Sequence, residues 1–470
     1  MYGHTKIPTG LWIGIVIFLI FTMVWSPNIE LMIPIVLYIP FIYRLFYIKG
    51  NSNIIFWGLF LQWLNVSIQV IYCTVRGYGL STMFNKTIFP ADLMDYTDFL
   101  SIYGMFFFAF GLYQAVKKLK IIIPESIWEE YDPKKVLQTY IIVSLVISVN
   151  QIAIWAFPGI VQYIFFFFYI KWGFLLVAFI SVFKTGKDLK VFLFSIIGFE
   201  FVLGLSSYFA SSFAFLLLFS LIGYATIMKN VKFYQVVLFS ILGAGMFHMA
   251  VLWTAAKGNY RSYLSQGKTE QAVKVSSEAA RAKLLELIVN VDELTYTKAI
   301  EEVINRIGYI HYFAAAVRFV PAKIPHEDGK IYADALAHYL VPRFLDPNKP
   351  ELDDSKHTNK YTGLGVSGKA QATSFSLGSF ADAYIDFGPV FMIIPLFLFG
   401  FMIGYFFKVL YTPDLWGIIF TGPFFLLINV YGADTAKAIG FVLIYFLVML
   451  ALRKRIRRLM DKLMRPNLKI

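Results

Sequence analysis

The sequence predicts an all-α, polytopic membrane protein with one large polar loop late in the chain. Hydrophobic residues make up 58% of the chain and charged residues only 15%, whereas a soluble protein carries about 25% charged residues. Apolar runs of roughly 20 residues, long enough to cross ~30 Å of hydrocarbon, recur along most of the sequence. Residues 254–388 are the long exception, because this stretch is rich in polar residues and prolines.

The apolar runs indicate about twelve transmembrane helices. They cover residues 8–25, 31–48, 54–74, 97–116, 136–157, 162–183, 190–207, 210–228, 233–253, 388–407, 415–431 and 436–452. This count divides the chain into a membrane domain of about nine spans, a large loop, three last spans and a basic tail. The four regions cover residues 1–253, 254–387, 388–452 and 453–470.

Lysine and arginine are distributed unevenly between the two sides of the predicted bundle. With the N-terminus inside, the short external loops hold only Arg76, Lys86 and Lys437, and the other flanking basic residues and the tail lie inside. The positive-inside rule therefore predicts that both termini are cytoplasmic and that the large loop is external. These flanks and anionic membrane lipids account for the net charge of +13, so no nucleic-acid partner is predicted.

The large loop has its own predicted helices. Residues 269–289 and 294–319 carry apolar residues at helical spacing, which indicates two amphipathic helices, and Pro321 ends the second. The prolines that follow predict mostly irregular chain, in which ADALAHYL (333–340) favours one short helix. The glycine-rich residues 363–378 indicate a mobile loop.

Basic side chains gather on this predicted external face. They are Arg261, Arg306, Arg318, Arg343 and Lys349. A pyrophosphate at a membrane surface requires cationic donors, and guanidinium supplies two of them in a fixed geometry. The alternative for each residue is an interfacial anchor or a solvated helix face, but the set as a whole favours anion binding.

Histidine and cysteine patterns predict no metal site. His311, His326, His338 and His357 match no zinc signature, and Cys73 is the one cysteine and lies in an apolar run. One of the histidines, His338 among them, is a candidate general base, because imidazole titrates near neutral pH. The alternative for each is a surface or hydrogen-bonded histidine.

Two carboxylates are candidates for contact with an acceptor hydroxyl. Asp382 and Asp386 lie one helical turn apart just before a predicted span, so both are able to face one cleft. The alternative is that they stabilise the positive end of a helix. Tyr332 and Tyr384 are candidate sugar contacts, although interfacial aromatic residues are common in membrane proteins.

Several familiar catalytic patterns are absent from the sequence. It contains no Walker A motif and no GxSxG, and its first external loop, SPN, lacks an acidic pair. Glu200 and Lys171 are the main ionisable residues within the spans, fewer than an ion-coupled transporter usually has.

The pattern of the loop resembles the Wzy-type oligosaccharide repeat-unit polymerases of bacteria. The residues that carry the resemblance are KGNYR (257–261), Arg306, Val320-Pro321, Tyr332, Pro342-Arg343, Pro347, Lys349-Pro350, Thr373-Ser374 and YIDFG (384–388). The topology covers nearly the whole chain and the motifs cover about residues 254–390. This chain departs from the family pattern at Asp386, where asparagine is expected, and at Asp382, where glutamate is expected.

The resemblance implies a glycosyltransferase of the bacterial inner membrane that moves a growing glycan from one undecaprenyl diphosphate to a second lipid-linked repeat unit. It implies no metal or cofactor, diphosphate binding by Arg261, Arg306, Arg343 and Lys349, and substrate contacts from Arg318, Tyr332 and Tyr384. Asp382, Asp386 or His338 then handles the acceptor hydroxyl, and a chain-length regulator is a candidate partner. The alternatives are a glycan ligase, a flippase or transporter of lipid-linked oligosaccharide, and a non-catalytic assembly protein.

Overall fold

The computed structural model confirms the all-helical class. It describes residues 5–153, 168–205, 211–228, 233–267, 273–341, 346, 351–368 and 374–466, and these ranges contain helices and no strands. We number the principal helices in chain order. They are α1 Thr9–Trp25, α2 Ile29–Phe46, α3 Ile54–Arg76, α4 Met94–Val116, α5 Pro133–Ala153, α6 Ile170–Lys184, α7 Lys190–Leu205, α8 Ser211–Ile227, α9 Phe233–Ser265, α10 Ser277–Val289, α11 Glu293–Gly308, α12 Ile310–Phe319, α13 Lys330–Leu340, α14 Asp354–Thr362, α15 Ser379–Phe391, α16 Ile393–Leu410, α17 Leu415–Thr421, α18 Phe424–Leu427 and α19 Thr435–Met464. Single helical turns lie at Leu80–Phe84, Ala91–Leu93, Ser126–Glu129 and Lys187–Leu189.

Five helices in the described ranges are long and apolar enough to cross a membrane, which indicates a membrane protein. They are α2, α3, α4 with the turn before it (Ala91–Val116), α16 and α19. Three further apolar helices, Thr9–Trp25, Phe215–Ile227 and Leu415–Leu427, are shorter. Two of the twelve predicted spans, 136–157 and 162–183, extend into residues 154–167, which lie outside the described ranges.

Several helices differ from the sequence-based prediction. The predicted loop helix 294–319 is wrong as one element, because Tyr309 adopts φ 50° and separates α11 from α12. The chain after Pro325 also forms α14, which was expected to be irregular. The ninth predicted span continues as one helix through Arg261, and α19 continues into the basic residues after 452. The predicted span 415–431 is divided into α17 and α18.

Helices α4 and α16 pack closely through glycine. A Cβ on Gly111 would overlap the carbonyl of Phe397, and a Cβ on Gly400 would overlap the carbonyl of Phe108. Small residues allow this approach of two backbones, which is the usual packing of helices in membranes. The pair therefore forms a rigid base beneath the polar elements of the large loop.

Two ionisable side chains inside the apolar bundle pair with each other. Lys171 Nζ lies 2.7 Å from Glu200 Oε2, and the hydroxyls of Tyr140 and Ser144 donate to Glu200 Oε1 at 2.9 and 2.8 Å. The two ionisable residues singled out in the predicted spans thus neutralise each other. Ionisable residues within membrane-spanning helices commonly pair in this way.

Helix α15 has glycines with unusual backbone angles at its start and in its interior. Helix α15 has a non-helical residue at Gly388, with φ 71° and ψ 179°. Its first turn starts after Gly378, where φ is 97° and a side chain would overlap the carbonyl of Tyr431. The hydroxyl of Ser379 donates to the carbonyl of Ala433 at 2.8 Å. This contact brings the N-terminus of α15 beside the N-terminus of α19.

Candidate functional site

An acid-rich cavity of about 820 Å³ lies where α13, α14 and the start of α19 meet. We call it the cap cavity. Its lining residues are Ile331, Asp334, Ala335, Ala337, His338, Val341, Asp346, Glu351, Leu352, Asp353, Asp354, Lys356, His357, Lys360, Tyr361, Asp434 and Ala436. All come from the large loop except the last two, which precede and begin the final apolar helix. The cavity therefore lies at the junction of the polar loop and the apolar bundle.

Asp382 joins three helices beneath this cavity. It lies in the first turn of α15 with 0% of its surface exposed. Its Oδ1 is 2.7 Å from Nε2 of His357 on α14, and its Oδ2 accepts a 3.1 Å hydrogen bond from the backbone N–H of Thr435 at the start of α19. A buried carboxylate requires such partners. Asp382 therefore fixes the position of His357 relative to both helices.

Asp434 forms the opposite side of the same cluster. As the N-cap of α19 it accepts hydrogen bonds from the backbone N–H groups of Ala436 and Lys437, at 2.9 and 3.3 Å. One ligating atom each from His357, Asp382 and Asp434 lie within 4.8 Å of one another. Among the described residues these three are the group whose spacing suits a metal ion. No sequence motif predicts this group, because its three residues lie on three separate elements.

The cluster changes the acid–base properties of its members. Burial alone lowers the pKa of His357, but the charge of Asp382, its hydrogen bond and the charge of Asp434 outweigh burial and raise that pKa to about 9. Burial and the negative charge of Asp382 raise the pKa of Asp434 to about 6. The carboxylates therefore favour a positive charge at His357.

A second acidic group borders the cavity at the start of α14. Asp353 caps this helix through a 3.1 Å hydrogen bond from the N–H of Lys356. Asp354 Oδ2 accepts from Ser374 Oγ at 2.8 Å and lies 2.5 Å from Lys437 Nζ. Its Oδ1 is buried and accepts no hydrogen bond within the described ranges.

Glu327, Lys360 and Tyr361 close another side of the cavity. Glu327 Oε1 accepts hydrogen bonds from the Lys360 ammonium and the Tyr361 hydroxyl, each at 2.7 Å. These two hydrogen bonds outweigh burial and lower the pKa of Glu327. The group thus ties α14 to the chain before α13.

Asp386 stabilises a helix start and does not line the cap cavity. It is fully buried, and its two oxygens accept 3.1 Å hydrogen bonds from the backbone N–H groups of Ile331 and Tyr332 in the first turn of α13. Burial raises its pKa, although those hydrogen bonds oppose the effect. The positive end of α13 explains its position, and neither Asp382 nor Asp386 is among the residues that line the cap cavity.

The other predicted site residues are scattered. His338 lines the cap cavity. Tyr332 packs against Phe387 with its hydroxyl 3.4 Å from the Ser379 carbonyl. Tyr384 is buried and donates to the carbonyl of Val320 at 2.9 Å, so it supports the fold. Arg318 is exposed and pairs with Asp92, outside the cavity lining. Arg343 and Lys349 lie outside the described residues.

Arg261 and Arg306 belong to a separate basic group, which we call the cationic cluster. Its members are Lys257, Arg261, Arg306 and the carboxylate of Glu302. Lys257 Nζ and Arg306 Nε lie 2.5 and 3.2 Å from Glu302 Oε1, and Arg261 follows Lys257 by one turn of α9. A Cβ on Gly432 would lie 3.4 Å from the ring of Tyr309, which directly follows α11.

Sequence reasoning missed most of the cap cavity. In the sequence His357 is one of four equivalent histidines, and no pattern distinguishes Asp434 or Glu327 as its neighbours. Asp434 carries a local signal, since an aspartate directly before an apolar run marks a helix start. The proximity of His357 to Asp382 carries none, because it depends on how α14 packs on α15.

The family model described as a domain of unknown function (DUF8712) matches residues 77–431, more than half of the chain, and the protein belongs to this family. No curated protein and no solved structure matches the chain. The matched segment contains His357 and Asp382 and ends shortly before Asp434.

Proposed function

We propose that this member of the DUF8712 family is an integral-membrane glycosyltransferase that polymerises undecaprenyl-diphosphate-linked oligosaccharide repeat units into a surface polysaccharide. The observation that carries the proposal is the cap cavity. It is lined by His338, His357 and Asp434 and lies directly at the start of the apolar helix α19. A lipid-linked sugar requires this combination, because its glycan needs a polar pocket and its polyprenyl chain needs an apolar surface beside it.

The donor diphosphate is held by basic residues in this proposal. Lys360 and Lys356 line the cavity, and Lys437 lies beside Asp354 at its edge. Arg343 and Lys349 fall in sequence between Val341 and Glu351, which both line the cavity. Arg261 and Arg306 bind or guide the diphosphate from the cationic cluster. Preorganised contacts of this kind contribute about 3 kcal/mol each to a transition state that develops negative charge.

The acceptor hydroxyl reacts within the cap cavity. Its oxygen forms a bond to the anomeric carbon of the donor glycan as the bond from that carbon to the diphosphate oxygen breaks, and the electron pair leaves with the diphosphate. His338 on the cavity wall accepts the hydroxyl proton as a general base. Asp382 acts as a positioning residue, because it holds His357 and the start of α19 in place.

The proposal includes the wider topology predicted from the sequence. In it the chain has about twelve spans, both termini are cytoplasmic, and the large loop caps the outer face of the bacterial inner membrane. Two features support this orientation. The cap cavity lies at the N-terminal end of α19, and the basic residues Arg453, Lys454, Arg455, Arg457 and Arg458 lie near the opposite end of that helix, as the positive-inside rule requires.

The experiment that tests the proposal is deletion of the gene, followed by gel analysis of surface glycans and of the lipid-linked pool. We expect long chains to disappear while single repeat units still reach the surface. Lipid-linked units trapped on the inner face would indicate a flippase instead. Full-length polymer that remains on its lipid carrier would indicate a ligase, and an unchanged ladder would refute all three activities for that glycan.

A further inference from the structure

We propose that His357, Asp382 and Asp434 bind a divalent metal cation at the base of the cap cavity. The proposal rests on the observation that these three residues come together from three separate elements. One lies on α14, one on α15 and one at the start of α19. One ligating atom from each lies within 4.8 Å of the other two, so a single ion is able to contact all three. Two carboxylates and one imidazole form a donor set suited to Mn²⁺ or Zn²⁺.

The backbone already orients the two carboxylates for this role. Asp382 Oδ2 is held by the N–H of Thr435, so its Oδ1 turns towards His357. Asp434 Oδ1 is held by the N–H groups of Ala436 and Lys437. In metal sites, hydrogen bonds from surrounding groups fix ligating carboxylates in the same way. The 2.7 Å contact between His357 Nε2 and Asp382 Oδ1 is the contact that a bound cation would replace.

A second observation points to a ligand at this position. Asp354 lines the same cavity, is 6% exposed, and its Oδ1 accepts no hydrogen bond within the described ranges. A buried carboxylate oxygen without a donor is rare in a folded protein and calls for an unseen partner. Lys437 links Asp354 to the proposed ligands, because its backbone N–H donates to Asp434 Oδ1 and its ammonium donates to Asp354 Oδ2. The second carboxylate oxygen of Asp354 therefore borders the cavity that would hold the cation.

The excess of negative charge around the cavity also favours a bound cation. The acids Glu327, Asp354, Asp382 and Asp434 face two lysines, Lys360 and Lys437, and the imidazole of His357. A divalent cation would remove the excess of negative charge and would allow an anionic substrate to enter. Without it, a diphosphate would meet three carboxylates at the base of the cavity, which costs free energy through like-charge repulsion.

The role of the cation rests on the proposed function. It would neutralise the diphosphate leaving group of a lipid-linked donor, as metal ions do in other enzymes that act on phosphates. This inference departs from the metal independence that the resemblance to repeat-unit polymerases implies. Histidine spacing in the sequence did not reveal the cluster, because its members are up to 77 positions apart, from His357 to Asp434.

The test measures Mn²⁺ binding to the full-length protein in detergent after treatment with EDTA and dialysis. Electron paramagnetic resonance of free Mn²⁺ gives the bound fraction, and Zn²⁺ is added as a competitor. We expect one saturable site per chain, with binding at least about 10-fold weaker in H357Q and D434N. The matched control is D334N, which removes one negative charge from the lining of the same cavity but none of the three ligands.

Two results would overturn the inference. One is the absence of saturable Mn²⁺ and Zn²⁺ binding to the wild-type chain. The other is equal weakening of binding in D334N and H357Q, which would reduce the site to general electrostatics. Circular dichroism checks the helix content of each variant. H357Q changes neither Asp353, the N-cap of α14, nor Asp434, the N-cap of α19. It therefore tests the inference even if D434N loses helix content.

Metal binding and glycan polymerisation are separable outcomes. A chain that binds one Mn²⁺ but makes no polymer in any assay would retain the metal site and refute the proposed function. A chain that polymerises repeat units in EDTA and shows no saturable binding would retain the function and refute the metal site.

Discussion

The cap cavity and the cationic cluster are both charged, but they are built in opposite ways. In the cap cavity Asp382 is completely buried, and its partners His357 and Thr435 come from other elements of the chain. In the cationic cluster Lys257 pairs with Glu302 across two helices, but Arg306 and Glu302 are an i,i+4 pair on one helix, and their side chains are 56% and 49% exposed. Buried contacts between distant segments fix geometry, whereas exposed local pairs contribute little and adapt easily.

Under the proposed function, this difference suits the two regions to different roles. Bond formation requires atoms held in place to within a fraction of an ångström, and the cap cavity has the necessary constraints. In the proposed function a diffusing diphosphate requires positive charge that does not have to be rigid, and the cationic cluster would supply it. Substitution of the buried Asp382 should therefore affect folding and activity together, and substitution of the exposed Arg306 should affect substrate capture alone.

The largest expected effect is that of D382N. The substitution removes the charge beside His357 and weakens the hydrogen bond that holds the start of α19, so we expect a loss of about 3 kcal/mol in unfolding free energy and no polymer. Thermal unfolding in detergent and a glycan gel measure the two effects. The control D334N, at an exposed cavity position, should keep wild-type stability. An equal melting temperature in D382N and wild type would contradict the buried-network account.

The second largest effect is expected for G378A, at the contact between the start of α15 and Tyr431. In G378A the new methyl group would overlap the carbonyl of Tyr431 at a residue with φ 97°, and we expect destabilisation by about 2–3 kcal/mol. G365A is the matched control, because Gly365 also has positive φ, 66°, but has open space around it. Its cost should stay near 1–2 kcal/mol. Equal melting temperatures for the two variants would show that the close approach of α15 to Tyr431 does not matter.

A smaller effect on stability but a large effect on function is expected for R343A. The arginine is proposed to bind diphosphate, so its loss should abolish long chains while single repeat units persist. R318A is the control, since Arg318 pairs with the exposed Asp92 away from the cavity. Glycan gels from cells with equal amounts of each variant compare the two. Normal polymer in R343A would remove this residue from the proposed site.

The R306A substitution tests whether the cationic cluster contributes to substrate capture rather than to stability. Its exposed pair with Glu302 contributes below about 1 kcal/mol to stability, so the melting temperature should hardly change. The concentration of lipid-linked substrate needed for half-maximal polymerisation should rise, and the dependence on salt should become weaker. A large drop in melting temperature would show that the cluster is structural after all.

The smallest expected effect concerns pH. The folded-state pKa of Glu327 is lowered by Lys360 and Tyr361, so its contribution to stability is present above about pH 4.5 and is lost as the pH falls through the folded-state value. Unfolding followed from pH 7 to pH 4 should show a slightly steeper loss for wild type than for E327Q. Parallel curves would show that this ion pair does not contribute.

The sequence predicts the helical class and several elements well, for physical reasons. Apolar runs of membrane length produce α2, α3, α4 and α16, and the short ADALAHYL pattern produces α13. Other features have no local cause. Helical spacing continues through Tyr309 although the chain breaks there, and the divided α17 and α18 look like one apolar run.

The candidate site was less predictable than the fold. Asp382 was recognised because it lies beside Asp386 at a helix start, but the structure gives the two aspartates different partners. His338 was chosen among equivalent histidines and does line the cap cavity. His357 and Asp434 become important only when α14 packs over α15 and α19, and single-sequence patterns contain no information on that packing.

The most direct test of the central claim is polymerisation by purified protein supplied with undecaprenyl-diphosphate-linked repeat units. Wild type and D334N should both lengthen the glycan, and D382N and R343A should leave single units unchanged. The length of the glycan product is measured on gels and by mass spectrometry. Equal chain elongation by D382N and wild type would contradict it, and so would the absence of elongation by a folded wild-type chain with and without Mn²⁺.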